Sequence, residues 1–270
     1  MSFKKIIGAS ALAIGALFGS SVAQAVAVDL ELVLLADVSG SLDQTDFDQQ
    51  RQGYSNAFRS AAVQNAILGS SGTGKIAVTL VYWSDGQSIA VDWQLIDSAA
   101  SASAFADAID AAPRSSGGST GMANALNFGA GLFDDNGFES NRLTIDVSGD
   151  GSDSVSCNFA VLNCVPVQNA RNAFLSGAGI RNINAIWIDD RDFFGDDASD
   201  TINALSYGTT NVIGGSTGFQ IMTQDFEDFQ SAVVTKLERE ITNETPEPGS
   251  LALFGAALAA LAYRRRRAST

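Results

Sequence analysis

Two hydrophobic rhythms alternate along this chain. The segment LELVLLADVS (Leu30–Ser39) is a near-continuous aliphatic run, the pattern of a strand buried on both faces. DQTDFDQQRQGYSNAFRSAAVQNAIL follows, with Phe47, Tyr54, Phe58, Ala61 and Ala62 at helical spacing and Asp43 placed to cap its start. Glycines 72 and 74 break the pattern, and KIAVTLVYWS (Lys75–Ser84) predicts a second strand. The turn SDGQ then leads into QSIAVDWQLI, which predicts an adjacent third strand.

The alternation continues to the end of the body. SASAFADAIDAA predicts a helix, PRSSGGST a glycine-rich break, and GMANALNFGAGLF another helix. RLTIDVSGDG (Arg142–Gly151) predicts a buried strand, followed by a cysteine-bearing loop and a helix near Val167–Ser176. GIRNINAIWI predicts a further strand, NVIGGSTGFQIM a last short strand pair, and residues 224–242 a final helix with Phe226, Phe229, Val233, Leu237 and Ile241 on one stripe. Strands alternating with helices in this way predict an α/β fold: a doubly wound, Rossmann-like, mostly parallel sheet flanked by helices. No internal repeat interrupts the body.

The ends follow other rules. Lys4 and Lys5 precede an apolar run from Ile6 to Phe18, and Ala23-Gln24-Ala25 supplies a small-residue cleavage pattern. Residues 1–25 therefore predict a secretory signal peptide, removed by signal peptidase to leave Val26 as the mature start. From Pro246, PEPGSLALFGAALAALAYRRRR joins a Pro-Glu-Pro step to an apolar stretch and four arginines. The basic end holds that side in the cytoplasm. The apolar part falls short of the roughly 20 residues of a stable span, which suits transient anchoring. This segment resembles the PEP-CTERM sorting signal of Gram-negative bacteria. The resemblance implies an exosortase-type processing enzyme as partner, export across the inner membrane, and release at the cell surface or beyond. The expected division is signal peptide 1–25, one domain 26–243 and sorting tail 244–270.

Charge narrows the partners. The whole chain carries −14. Without Lys4, Lys5, Arg264–Arg267 and Glu247, 10 basic and 29 acidic residues remain, so the body carries about −19. Nucleic acid and anionic lipid are poor partners for it, whereas cations are good ones. Cys157 and Cys164, closely spaced in an exported chain, predict a disulfide. They are too few for zinc, and the chain has no histidine.

In a doubly wound sheet, ligands bind at the carboxyl ends of the strands. There the first strand delivers Asp37-Val38-Ser39-Gly40-Ser41, the strand after Arg142 delivers Asp150, and the loop Gly117-Gly118-Ser119-Thr120 opens a helix. Alternate residues leaving a strand can face one ion, so Asp37, Ser39 and Ser41 suit a single hard-oxygen cation. Two carboxylates and three hydroxyls favour Mg²⁺, with Mn²⁺ and Ca²⁺ as alternatives. A turn that merely caps a helix would also favour Asp, Ser and Gly. D-x-S-x-S, a threonine in a glycine-rich loop and an aspartate after a hydrophobic strand together resemble the metal-ion-dependent adhesion site (MIDAS) of von Willebrand factor type A (VWA) domains. GKIAVTLVYWS, IDVSGDG and VIGG resemble more closely a bacterial exported subgroup of unassigned function. The resemblance implies that Ser39 and Ser41 bind the metal directly. Thr120 would bind directly or through water, and Asp37 and Asp150 mainly through waters and hydrogen bonds. Thr120 is preferred to Ser119 because it stands six residues before Leu126, which matches the family's apolar anchor.

Other motifs carry less. DDRDFFGDDASD places Asp190, Asp192 and Gly195 as in a calcium loop, but Phe194 and Thr201 break the ligand pattern. Trp83, Trp93 and Trp187 lie on strands and read as core. GSSGTGK (Gly69–Lys75) precedes a strand and lacks the phosphate-loop spacing. With no histidine base, and with Ser148 outside any nucleophile elbow, the expectation is a non-enzymatic, divalent-cation-dependent binding or adhesion module. Its ligand would be an acidic group on a protein or polysaccharide. The alternatives are a metal-dependent hydrolase acting on surface polymer and a structural matrix protein without a specific ligand.

Overall fold

The structure, a computed structural model, describes residues 24–115, 117–158, 161–188, 204–223 and 226–243. The signal segment up to residue 23, the acidic stretch 189–203 and the sorting tail from residue 244 lie outside these. Expectations about cleavage, the failed calcium loop and membrane anchoring concern residues beyond the described ones. Among the described residues no helix is long and apolar enough to cross a membrane.

A six-stranded sheet organises the chain. Its strands are β2 (Leu30–Asp37), β3 (Ile76–Trp83), β4 (Gln87–Ile96), β6 (Arg142–Gly149), β7 (Ile180–Ile188) and β8 (Gln220–Thr223), in the order β4-β3-β2-β6-β7-β8. Only β4 runs antiparallel, joined to β3 by the short Ser84–Gly86 turn. β1 (Val26–Ala27) and β5 (Phe138–Glu139) form a separate two-stranded ribbon. The order reverses between β2 and β6, so loops from both meet at the carboxyl edge.

Each aliphatic run forms a strand because it has two apolar faces to bury. Leu30, Leu32 and Leu34 pack toward α1 (Gln44–Arg59), α2 (Ala61–Leu68), α3 (Ala99–Ala111) and α7 (Phe229–Thr242). Val33 and Leu35 pack on the opposite side, toward α4 (Met122–Gly131) and α5 (Val165–Leu175). All eight residues of β2 and of β3 are buried. Trp83 and Trp187 are wholly buried, and Trp93, half-buried, donates its indole N–H to the Leu132 carbonyl at 3.1 Å.

Two local expectations are corrected. The single helix expected after Asp43 is two. Ser60, with ψ 142°, ends α1, and its Oγ accepts from Val63 N at 3.2 Å to cap α2. The strand pair expected in NVIGGSTGFQIM is one strand, β8. The first half is the end of a π-helical turn (Gly208–Val212) after the short α6 (Ala204–Tyr207), and Gly214 touches Ile183 through an isolated bridge. Asn211 explains this: its side chain accepts from Cys164 N and donates to the Leu162 and Tyr207 carbonyls, replacing ladder bonds with side-chain ones.

Candidate metal centre

The D-x-S-x-S stretch leaves β2 as a tight turn. Asp37 Oδ1 accepts from Ser39 N at 2.7 Å, and Ser39 Oγ and Ser41 Oγ stand 3.1 Å apart, so the alternate hydroxyls do face the same way. Asp37 and Ser39 are buried, and Ser41 is half-buried. Asp37 Oδ2 forms no hydrogen bond of ordinary geometry, and among the described residues no basic side chain forms an ion pair with Asp37. A Cβ on Gly149 would stand 3.2 Å from that oxygen, so the absence of a side chain there lets β6 approach it.

Asp150, buried at the end of β6, is the second carboxylate of this edge. Burial holds the Asp37 carboxyl well above the usual carboxylate range, and the negative charge of Asp150 raises it further. Hydrogen bonds from Ser39 and from the Asp150 backbone oppose the shift. Two buried acidic groups thus stand close enough for the charge of one to act on the other.

The glycine loop reaches the same edge. Gly40 N donates to Gly118 O at 2.8 Å, and a Cβ on Gly117 would stand 3.1 Å from Val38 O, so the two turns pack backbone to backbone. Two residues on, Thr120 is buried while Ser119 is exposed. Thr120 is fixed by its main chain: its N–H donates to Ser154 Oγ at 3.1 Å, and its carbonyl accepts from Ser154 N at 2.8 Å and Val155 N at 3.3 Å. The loops carrying Asp37, Thr120 and Asp150 therefore interlock. Among the described residues no three His, Cys, Asp or Glu side chains cluster as a metal site, and any cation here depends on the hydroxyls.

Supporting residues were not anticipated from the sequence. Arg114 donates to the carbonyls of Asp43 at 2.9 Å and Leu42 at 2.7 Å, with longer reaches to Ser39 and Val38, and its guanidinium lies 5.4 Å from the Phe47 ring. Gln50, on the buried face of α1, donates to Asp37 O and accepts from Ser148 Oγ, both at 2.8 Å. Asp153 caps α4 from a distance, accepting from Ala123 N at 2.9 Å, while its other oxygen collects the N–H groups of Val155, Ser156 and Cys157. A Cys157–Cys164 disulfide closes that loop. Gln50 did leave a signal, being a polar residue on the Phe47/Tyr54 stripe. Arg114 left none, since it lies in a segment without periodicity.

With this geometry in place, sequence comparison settles the family. A family profile described as "Protein of unknown function (DUF1194)" matches residues 27–245. The chain belongs to that family. A PEP-CTERM protein-sorting motif matches residues 244–267 of this DUF1194 protein, which marks it for export and for surface or extracellular sorting in bacteria and implies processing by an exosortase-type enzyme. A comparison with curated proteins returns no match. Among solved structures, the pilus adhesin SpaC from Lactobacillus rhamnosus GG aligns with a TM-score of 0.52 at 16% identity, over 82% of this chain and 31% of its own. The PilB minor pilin from Streptococcus sanguinis aligns with a TM-score of 0.52 at 12% identity, over 81% and 64%. A von Willebrand factor type A structure from Catenulispora acidiphila aligns at 0.49 and 13% identity, over 80% and 43%. The DUF1194 chain spans less than two thirds of each of these neighbours. Its mostly parallel six-stranded sheet between two helical layers is a mixed α/β fold, and the SpaC and PilB alignments show that fold to be shared.

Proposed function

We propose that this protein is a cell-surface module of a Gram-negative bacterium that holds a divalent cation at Asp37, Ser39, Ser41, Thr120 and Asp150. Through that cation it captures an acidic group on a protein or polysaccharide. The observation that carries this reading is the state of Asp37: a fully buried carboxylate with one oxygen lacking a hydrogen bond of ordinary geometry, no ion pair among the described residues, and a second carboxylate beside it. A cation is the missing partner that such a pair calls for.

The donor set fits a hard ion. Ser39 and Ser41 present their hydroxyls 3.1 Å apart, and Thr120, buried where Ser119 is exposed, is the hydroxyl of its loop suited to join them. Mg²⁺ is the first choice, and Mn²⁺ and Ca²⁺ share the oxygen preference. When bound, the ion supplies Lewis acidity that neutral hydroxyls do not quench, and a ligand carboxylate can use it. The chain's own part is to hold the hydroxyls: Arg114 grips the carbonyls behind the turn, Gln50 fixes Asp37 from α1, and Ser154 fixes Thr120. We assign binding rather than catalysis, since the 270-residue chain has no histidine and the proposed donor set is rich in neutral hydroxyls. SpaC is described as a pilus adhesin and PilB as a minor pilin, and adhesive or surface-structural roles agree with this reading.

Isothermal titration with Mg²⁺ and Mn²⁺ tests the metal. Binding by the wild type that weakens at least about 10-fold in Ser41→Ala and Asp150→Ala is expected, and heat-silent titrations of all three would end the reading. Retention on a carboxylated polysaccharide that chelator abolishes tests the ligand class.

A further inference from the structure

A second group of buried charges lies on the α7 face of the sheet, around Asp146 of β6, four residues before Asp150. Lys236 of α7 is wholly buried and forms ion pairs with Asp146 of β6, itself wholly buried, and with Glu240 one helical turn on, at 2.5 Å. Glu240 Oε1 also accepts from Asn184 Nδ2 at 2.9 Å, and Oε2 has no partner. Apart from Lys236, no donor reaches either Asp146 oxygen with ordinary hydrogen-bond geometry. The Phe219 ring centroid lies 5.9 Å from Lys236 Nζ, and Arg239 covers the same ring at 3.7 Å.

As a means of stabilising the fold this cluster is poor. With Glu240 holding its proton, one ammonium faces one carboxylate and one carboxylic acid in the interior, and apolar replacements of buried ion pairs are often neutral or better. As a reacting group it is well arranged. An amine is held against a carboxyl it can acylate, and a second carboxyl touches the amine nitrogen.

We propose that Lys236 and Asp146 condense to an intramolecular amide tying α7 to β6, with Glu240 as the catalytic acid and base. The step begins as one proton passes from Nζ to the Asp146 carboxylate, leaving an amine and a carboxylic acid. The Nζ lone pair attacks Cγ of Asp146, forming the C–N bond. Glu240 hydrogen-bonds to the carbonyl oxygen, accepts the proton lost from Nζ and returns one to the departing hydroxyl. The C–O bond then breaks and water leaves. One C–N and one O–H bond form, one C–O and one N–H bond break, nothing is oxidised or reduced, and Glu240 is regenerated. Burial and the neighbouring Asp146 push Glu240 up to about 8, so its acid form is available at neutral pH. The product removes both charges of the pair from the core.

Proteolysis and tandem mass spectrometry of the folded full chain decide the matter. The expected result is a branched peptide joining Asp146 to Lys236, lighter than the two linear peptides by one water, with the linear forms depleted. Glu240→Gln, shown folded by circular dichroism, should give linear peptides only. Should it not fold, Glu240→Asp should branch more slowly than wild type. Asp146→Asn expels ammonia instead and must give a branched peptide of the same mass as wild type. Full recovery of both linear peptides from folded wild type overturns the proposal, and wild-type branching in folded Glu240→Gln overturns the role of Glu240. Neither outcome depends on the metal reading.

Discussion

Two pairs of buried carboxylates sit on this sheet, and they are balanced in different ways. Asp146 and Glu240, under α7, enclose the ammonium of Lys236. Asp37 and Asp150, at the carboxyl edge, stand beside hydroxyls, and the one arginine gripping that turn, Arg114, points at backbone carbonyls. The first pair carries its cation in the sequence. On the proposed function, the second takes one from the surroundings. The difference separates a pair balanced within the chain from a pair set among hydroxyls, which the proposed function uses for a cation.

The sharpest way to break this comparison is to remove the internal cation. Lys236→Ala strands two carboxylates in the core and should cost about 3–5 kcal/mol in denaturant unfolding. Asp37→Asn, measured in chelator, should by contrast be neutral or stabilising, because it relieves burial and repulsion at once. Equal losses in both variants would erase the distinction.

The next effect is reserved for the edge pair. Added Mg²⁺ at 100 times its dissociation constant should stabilise wild type by about 2.7 kcal/mol. In the same thermal scans it should stabilise Asp37→Asn and Ser41→Ala by no more than about 1.4 kcal/mol, the value left by a 10-fold loss of affinity.

A third prediction concerns pH. Glu240 titrates at about 8 in the fold, against 4.5 for its ordinary value. Between those values the folded chain keeps a proton that the unfolded chain has lost, so stability falls as pH rises. The slope from this one group is at most about 1.4 kcal/mol per pH unit. Asp37 contributes in the same direction, so the measurement is the difference between wild type and Glu240→Gln. A difference that grows with pH in favour of wild type would contradict the assignment. Smallest of all, Ser154→Ala removes the partner of Thr120 N and should cost about 1 kcal/mol, together with a measurable loss of Mg²⁺ affinity.

The two pairs were not equally legible beforehand. The edge pair is written in loops: Asp37, Ser39 and Ser41 alternate in one turn, and Asp150 ends a hydrophobic run, so spacing and topology expose them. The pair under α7 hides inside regular elements. Asp146 looks like one polar position of a strand, and Lys236 and Glu240 like solvent-facing charges of an amphipathic helix. Only packing turns that stripe inward, because Thr144, Asp146 and Ser148 of β6 and Asn182 and Asn184 of β7 share the α7 face of the sheet. The strands themselves were legible because burial on both faces demands unbroken aliphatic runs. The division of α1 from α2 at Ser60 was not, since a serine inside a helical pattern is read as tolerated until its capping bond is seen.

Arg142, at the opposite end of β6 from Asp150, donates to the carbonyls of Glu240 at 2.6 Å and Ile241 at 3.1 Å, fastening the close of α7 to the far pole of the sheet. The sorting motif begins at residue 244, just beyond that clasp. If the proposed site held its ligand while the chain beyond residue 243 stayed anchored, the load would pull along the strand axes. Parallel ladders pulled this way are sheared, with their hydrogen bonds sharing the tension instead of opening one after another, so the domain is oriented to resist traction rather than to peel.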